Sequence, residues 1–239
     1  LYMMALIIMQ PLYKTFKMKK IIISLLFILM KSSFLIGQVM PQGYLVGPTG
    51  YIGTQLWMTK NLDVTTFNDG TAINQVTTTA NWSASLGSPA WVYNNLDEAN
   101  NAVYGKLYNW AVVNNVKNVC PINYHVPTYN DWLILQNYLG GTPISYIVAA
   151  GGKLKQTGTA AWTSPNTGAT NSTRFNAVGN GYIGSGSSFS NSLNNYALFW
   201  STTVTGTKVY FAQLNYNDNN LSVSPGLNTG GFAIRCIHD

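Results

Sequence analysis

The only two cysteines of the chain, Cys120 and Cys236, constrain its fold more than any other pair of residues. Whether they are joined depends on compartment, because disulfides persist in oxidising surroundings and are reduced in the cytosol. The compartment is legible near the start of the sequence. From Met18 the chain reads MKKIIISLLFILMKSSFLIGQ: two lysines, an apolar run from Ile21 to Met30, then small and polar residues to Gly37 and Gln38. These are the three zones of a secretory signal. The run falls well short of the roughly 20 apolar residues that span a bilayer, and Lys31 interrupts it. An uncleaved anchor, extended through Phe34 to Ile36, is the competing reading. The expectation is an N-terminal extension foreign to the native protein over 1–17, a signal over 18–38, a Gly/Pro-rich lead-in over 39–50 and one domain over 51–239, with cleavage near Gly37–Gln38. The product is then secreted, periplasmic or held at the cell surface. An even cysteine count in such a chain favours one intramolecular bridge. Its loop of 116 residues is worth roughly 4–5 kcal/mol in the chain-entropy account.

Charge then narrows the partners. The net charge is +6, but Lys14, Lys17, Lys19, Lys20 and Lys31 all precede the expected domain, where no acid accompanies them. The rest carries eight basic residues against seven acidic ones and is close to neutral, so the basic balance gives no support to a nucleic-acid partner. Only 8% of residues are charged, against a usual fraction of about 25%. The polar surface must therefore be made of Asn, Thr, Ser, Gln and Tyr, as in many extracellular β-proteins. With 46% hydrophobic residues the chain has enough apolar material for a core, which excludes disorder.

No repeat of 20–50 residues is visible along the chain. Tyr51–Met58 reads as a strand, Asp69-Gly70 as a tight turn, and Thr77–Pro89 as a polar loop enclosing Trp82. Tyr104, Leu107, Tyr108 and Ala111, with Trp110 and Val113, have helical spacing. A second helix starts at Thr128, three residues before Asp131 in a capping-box arrangement, and stops at Gly140-Gly141. Beyond Gly151 the runs FNAVGNGYIG, NYALFWSTT, KVYFAQLNY and GFAIRCI alternate like strands. Val209, Phe211 and Leu214 break a period of two, which predicts a bulge near Gln213.

Seven segments in order, IGTQLWMTKNLDVTTFNDG (52–70), YGKLYNW (104–110), CPINYHVPTYNDW (120–132), AGGKLKQTG (150–158), SPNTGATNSTRFNAVGNGY (164–182), FWSTT (199–203) and GFAIRCIHD (231–239), resemble the Fibrobacter succinogenes major paralogous domain. The resemblance implies an α+β, C-type-lectin-like fold: two helices beside a twisted antiparallel sheet, with long irregular loops carrying any function. It also implies that Cys236 lies in a terminal strand and bridges back toward the start. That family usually has a Trp and an acidic residue where this chain has Tyr124 and Asn130-Asp131. HVPTYNDW is also loosely similar to a segment of formylglycine-generating enzymes, but those depend on a cysteine pair near the active site. Here both cysteines read as structural.

The residues offer little catalysis. Seven scattered carboxylates and two histidines, His125 and His238, supply neither a Ca²⁺ nor a zinc constellation, so no metal and no cofactor is expected. His125 reads as a hydrogen-bonding residue that orders the loop entering the second helix. Asp97-Glu98 read as a helix start. Trp57, Trp91, Trp110, Trp132 and Trp200 lie in apolar runs and belong to the core. Trp82 and Trp162 stand in polar loops, where an exposed indole beside amides suits a sugar ring. The expected binding face is therefore Trp162, Asn166, Asn171, Asn217 and Asp218 on one exposed concavity. The function expected is a non-enzymatic recognition module for a polysaccharide or a cell-envelope protein. A structural surface or matrix protein without a ligand is the alternative.

Overall fold

The computed structural model describes residues 48–140, 147–184, 186–189 and 192–239. The expected signal, its cleavage site and most of the lead-in lie outside the described residues, as does Gly141.

The expected strand at Tyr51–Met58 is a hairpin, β1 (Thr49–Ile52) and β2 (Gln55–Met58), because Gly53 turns the chain at φ +62. Strand β2 then pairs with the last strand, β12 (Ile237–His238), at Trp57↔Ile237, and β12 pairs with β6 (Tyr124–His125). Chain ends distant in sequence thus share one sheet, ordered β1-β2-β12-β6. Cys236 stands just before β12, and its bridge to Cys120 joins Cα atoms 5.9 Å apart, as expected from the cysteine count. Both cysteines are buried.

A second sheet, ordered β11-β5-β4-β3, combines β3 (Asn74–Gln75), β4 (Ala90–Tyr93), β5 (Lys106–Asn109) and β11 (Gly231–Phe232). It overturns two readings. The polar segment after Thr77 contains helix α1 (Thr79–Ala84), capped by the Thr78 hydroxyl, and its Trp82 is fully buried. The expected helix across Tyr104–Val113 is broken into α2 (Asn101–Tyr104), β5 and α3 (Trp110–Val113). Gly105 at φ +72 ends α2, and β5 is buried along its whole length between β4 and β11. A strand buried on both faces shows no alternation, and a short apolar run of that kind cannot be told from a helix by period alone. Asp97 caps the turn leading into α2, as expected.

The third sheet, β7-β10-β9-β8, holds the longest strands: β7 (Ile147–Val148), β8 (Tyr196–Thr205), β9 (Lys208–Asn215) and β10 (Leu221–Gly226). Strand β10 contains Pro225, but β7 reaches only Leu221 and Ser222, so Pro225 lies toward an edge, where a missing N–H is tolerated. The irregularity expected near Gln213 is instead in β8, between Trp200 and Val204. Strand β9 keeps its period of two. Its Ala212 and Leu214 enter one apolar cluster and Val209 the other, because this sheet has apolar packing on both faces.

Helix α4 (Tyr129–Tyr138) has the capping box read from the sequence: the Thr128 hydroxyl accepts from the Asp131 N–H, and the Asp131 carboxylate accepts from the Thr128 N–H. It buries Trp132 and Leu135, with Trp132 4.9 Å from the Trp57 ring and 5.9 Å from Phe199. FNAVGNGYIG, expected to be a strand, makes only isolated bridges to other segments. The fold is mixed α+β: four helices, only α4 longer than two turns, beside three mainly antiparallel sheets among the described residues, with no barrel.

Candidate functional site

The region expected to present a binding face is closed around a buried lysine. Lys155 has no exposed surface; its Nζ donates to the carbonyls of Thr167 (2.9 Å), Asn215 (2.9 Å) and Asp218 (2.8 Å) and lies 5.5 Å from the Trp162 ring. Irregular loops leave buried carbonyls without ladder partners, and an ammonium brings three donors to one point. Burial pushes Lys155 down to about 8.

Trp162, expected to be exposed, is 1% exposed. Its indole N–H donates to the Ala177 carbonyl at 2.8 Å, which satisfies the only polar group of the ring and lets it be buried whole. Asn166 is also buried, its amide donating to the carbonyls of Gln156 and Gly158. The Asp218 carboxylate closes its own turn, accepting from Asn220 N and Asn215 Nδ2. Asn217 is exposed at the tip of that turn. Asn171 lines a separate groove beside Arg174. The five residues therefore do not form one concave face, and Trp162 belongs to the core.

Two further buried cations escaped the sequence reading. Lys106 donates to the Asp63 carbonyl and Asn101 Oδ1 with Nζ 4.9 Å from the Trp91 ring. Arg235 is fully buried, donates to Asn61 Oδ1 and to the carbonyls of Met58 and Phe175, and stacks 4.4 Å from Phe175. Burial pushes its guanidinium down to about 9. Nothing in the local sequence distinguishes these residues from surface lysines and arginines.

The open surface lies on the other face of β8 and β9. Cross-strand register pairs Leu198 with Gln213 and Trp200 with Phe211, while the intervening Ala197, Phe199, Ala212 and Leu214 face the core behind. Of these outer positions Leu198, Phe211 and Gln213 floor a cleft of about 660 Å³, walled by Tyr182, Tyr196 and Phe232, while Trp200 is buried beyond it. The rings support one another: Phe232 lies 5.2 Å from Phe211 and 6.2 Å from Tyr182, and Tyr182 lies 5.8 Å from Tyr196. Gly226 is required at the rim, since a Cβ there would stand 2.6 Å from the Phe211 ring. Phenols, the Gln213 amide and Ser188 supply polar atoms, and no Asp, Glu, His, Lys, Arg or Cys is among the lining residues. Such a lining can stack and hydrogen-bond a neutral ligand but holds no acid–base pair. Its sequence signal was the alternation Tyr196-x-Leu198-x-Trp200 followed by Val209-x-Phe211-x-Gln213, hidden because both faces of the sheet are apolar.

Elsewhere, His125 lies between Asp131 (Nε2, 3.2 Å) and Asp239 (Nδ1, 2.7 Å). Hydrogen bonding to Asp131, more than to Asp239, raises its pKa. Both ring nitrogens are engaged, which suits an ordering role at the α4 entrance. Among the described residues no group of three or more His, Cys, Asp or Glu is placed to hold a metal ion. No described helix is long and apolar enough to cross a membrane.

No curated protein and no solved structure matches the chain. The model of one protein family, the Fibrobacter succinogenes major domain, matches residues 51–238, from the β1–β2 hairpin to β12. The match spans all three sheets and both cysteines, and the chain belongs to the Fibrobacter succinogenes major domain family.

Proposed function

We propose that the domain is an exported, non-enzymatic recognition module of C-type-lectin-like architecture, with the Tyr182–Tyr196–Phe211–Phe232 cleft as the seat of a neutral saccharide. The observation that carries this reading is the lining: the partly exposed rings of Tyr182, Tyr196 and Phe211, backed by the buried Phe232, beside an amide and hydroxyls, without an Asp, Glu, His, Lys or Arg. A sugar ring has apolar C–H faces and a rim of hydroxyls, and an aromatic floor with polar walls complements both. Pairing of the N-terminal hairpin, through β2, with the last strand β12, with loops between them, supports the lectin-like comparison. The leader at Met18 and the buried Cys120–Cys236 bridge support export. Engagement of both cysteines in that bridge supports the non-enzymatic reading over formylglycine-generating chemistry, which depends on a cysteine pair near the active site.

A glycan array followed by calorimetry on the best neutral oligosaccharide tests the reading. Tyr196→Ala should weaken binding by roughly tenfold, the order expected for losing one aromatic anchor. Absence of neutral glycan binding, or binding indifferent to Tyr196→Ala and Gln213→Ala, would favour a structural surface or matrix protein.

A further inference from the structure

A second groove lies apart from the aromatic cleft, and its chemistry is opposite. One cavity of about 500 Å³ is lined by Tyr51, Tyr138, Lys153 and Arg174, and another of about 560 Å³ by Thr59, Asn171, Arg174 and Asn176. They share Tyr51, Thr173 and Arg174, so the two adjoin along Arg174 and make one surface groove. None of its lining residues is acidic, whereas Lys153 and Arg174 are both cationic and exposed. In a domain whose charge is near balance, two cations without an acid between them mark a local preference for anions.

The groove is built, not accidental. Arg174 sits at φ +60, a conformation disfavoured for an L-residue. The Asn171 side chain holds the loop by accepting from Asn176 N at 2.9 Å, and the Thr173 hydroxyl donates to the Lys153 carbonyl at 2.8 Å. Phe175, next in sequence, is anchored in the core with no exposed surface. Tyr51 and Tyr138 remain 74% and 62% exposed. Tyr138 is nevertheless seated: its ring packs so closely on Gly53 that a Cβ there would meet it at 2.8 Å.

We infer that this groove binds an acidic saccharide, a sugar chain bearing carboxylates, with Arg174 taking the carboxylate and the two tyrosines taking sugar faces. The guanidinium fork matches a carboxylate through two parallel N–H donors. The exposed rings give what a bare phosphate or chloride would not use. The chain itself supplies no such occupant outside the described residues: residues 1–47 carry five lysines and no acid, and residues 141–146 carry no charge. This assignment stands independently of the aromatic cleft.

Calorimetry of the domain with oligogalacturonate, with its methyl ester and with dextran sulfate provides the test. The free acid should bind, and the ester should bind about tenfold more weakly or less, as expected when a charge-assisted bidentate contact is lost. Arg174→Gln should reproduce that loss with the acid, and Arg174→Lys should recover only part of it. Tyr51→Ala should weaken binding several-fold with the thermal midpoint unchanged, Tyr138→Ala should weaken it several-fold with a small fall in midpoint because its ring packs on Gly53, and Tyr182→Ala should leave binding intact. No binding of oligogalacturonate would overturn the assignment, as would Arg174→Gln binding like the wild type. Equal binding of dextran sulfate and oligogalacturonate, both indifferent to the tyrosines, would reduce the groove to unspecific charge attraction and also overturn it.

Discussion

Residues 196–226 and residues 151–184 both send large apolar side chains into the core, by different means. In the first, β8, β9 and β10 pair their backbones along most of their length, and the side chains are left to pack. In the second the described backbone forms no ladder, only isolated bridges such as Lys155↔Ala177 and Ile183↔Gly231 and scattered turn and cross-loop bonds. Yet Leu154, Trp162, Phe175 and Ile183 are as buried as Phe199 and Leu214. Many loop N–H groups still reach backbone carbonyls, as Thr167 N does at Tyr216 and Thr170 N at Gly152, but groups left over turn to side chains: Lys155 takes three carbonyls, Asn166 two, and the Ser192 hydroxyl and Asn219 amide take further backbone groups. Backbone polar groups must be satisfied wherever they are buried. A ladder does this without side chains; a loop needs polar side chains carried inside. That need accounts for a chain rich in Asn, with Asn166, Asn171 and Asn176 all at positive φ, which Asn tolerates better than most residues.

The comparison can be broken by removing what each region depends on. Replacing both Cys120 and Cys236 by Ala should lower unfolding free energy by roughly 4–5 kcal/mol. Both regions lie inside the bridged loop, so chemical denaturation should still show one transition. Trp162→Ala should cost roughly 3–5 kcal/mol, as for a large buried aromatic. A loss below about 1 kcal/mol, the value for an exposed ring, would return Trp162 to the surface. Lys155→Met should cost about 3 kcal/mol, because three buried carbonyls lose their donor while the apolar stem remains. The smallest effect concerns His125, whose folded pKa lies above its unfolded value. Its contribution is complete below the unfolded pKa of about 6.5 and is lost as pH rises through the folded pKa. The thermal midpoint of His125→Gln should therefore fall furthest below wild type near pH 5.5 and approach it above pH 8, about 1 kcal/mol or less for a pair this exposed. An equal deficit at both pH values would leave the ion pairs without a role.

What the sequence made legible follows from the same contrast. The capping box at Thr128, the Cys120–Cys236 bridge and strands β8 and β9 were readable, because each rests on a local rule or on a count of two. Strand β5 was misread as helix because it is buried on both faces. Trp162 was misplaced because polar neighbours in sequence suggest exposure, while here Asn166 and Lys155 are polar residues turned inward. The aromatic cleft combines Tyr182, Tyr196, Phe211 and Phe232 from four segments; alternation places Tyr196 and Phe211 on one sheet face, but no spacing rule brings Tyr182 and Phe232 to it.

The central claim is that side-chain donors, chiefly Lys155, complete in the loop region the backbone pairing that the strand ladders provide in β8–β10, and so hold its cross-loop backbone bonds in place. Amide hydrogen exchange on Lys155→Met, compared with wild type under native conditions, tests it most directly. The account predicts that protection falls at Thr167, Thr170 and neighbouring amides of the loop, while amides of β8 and β9 keep wild-type protection. Unchanged protection at Thr167 and Thr170, or an equal fall across the loop and the β8–β9 ladder, would contradict it.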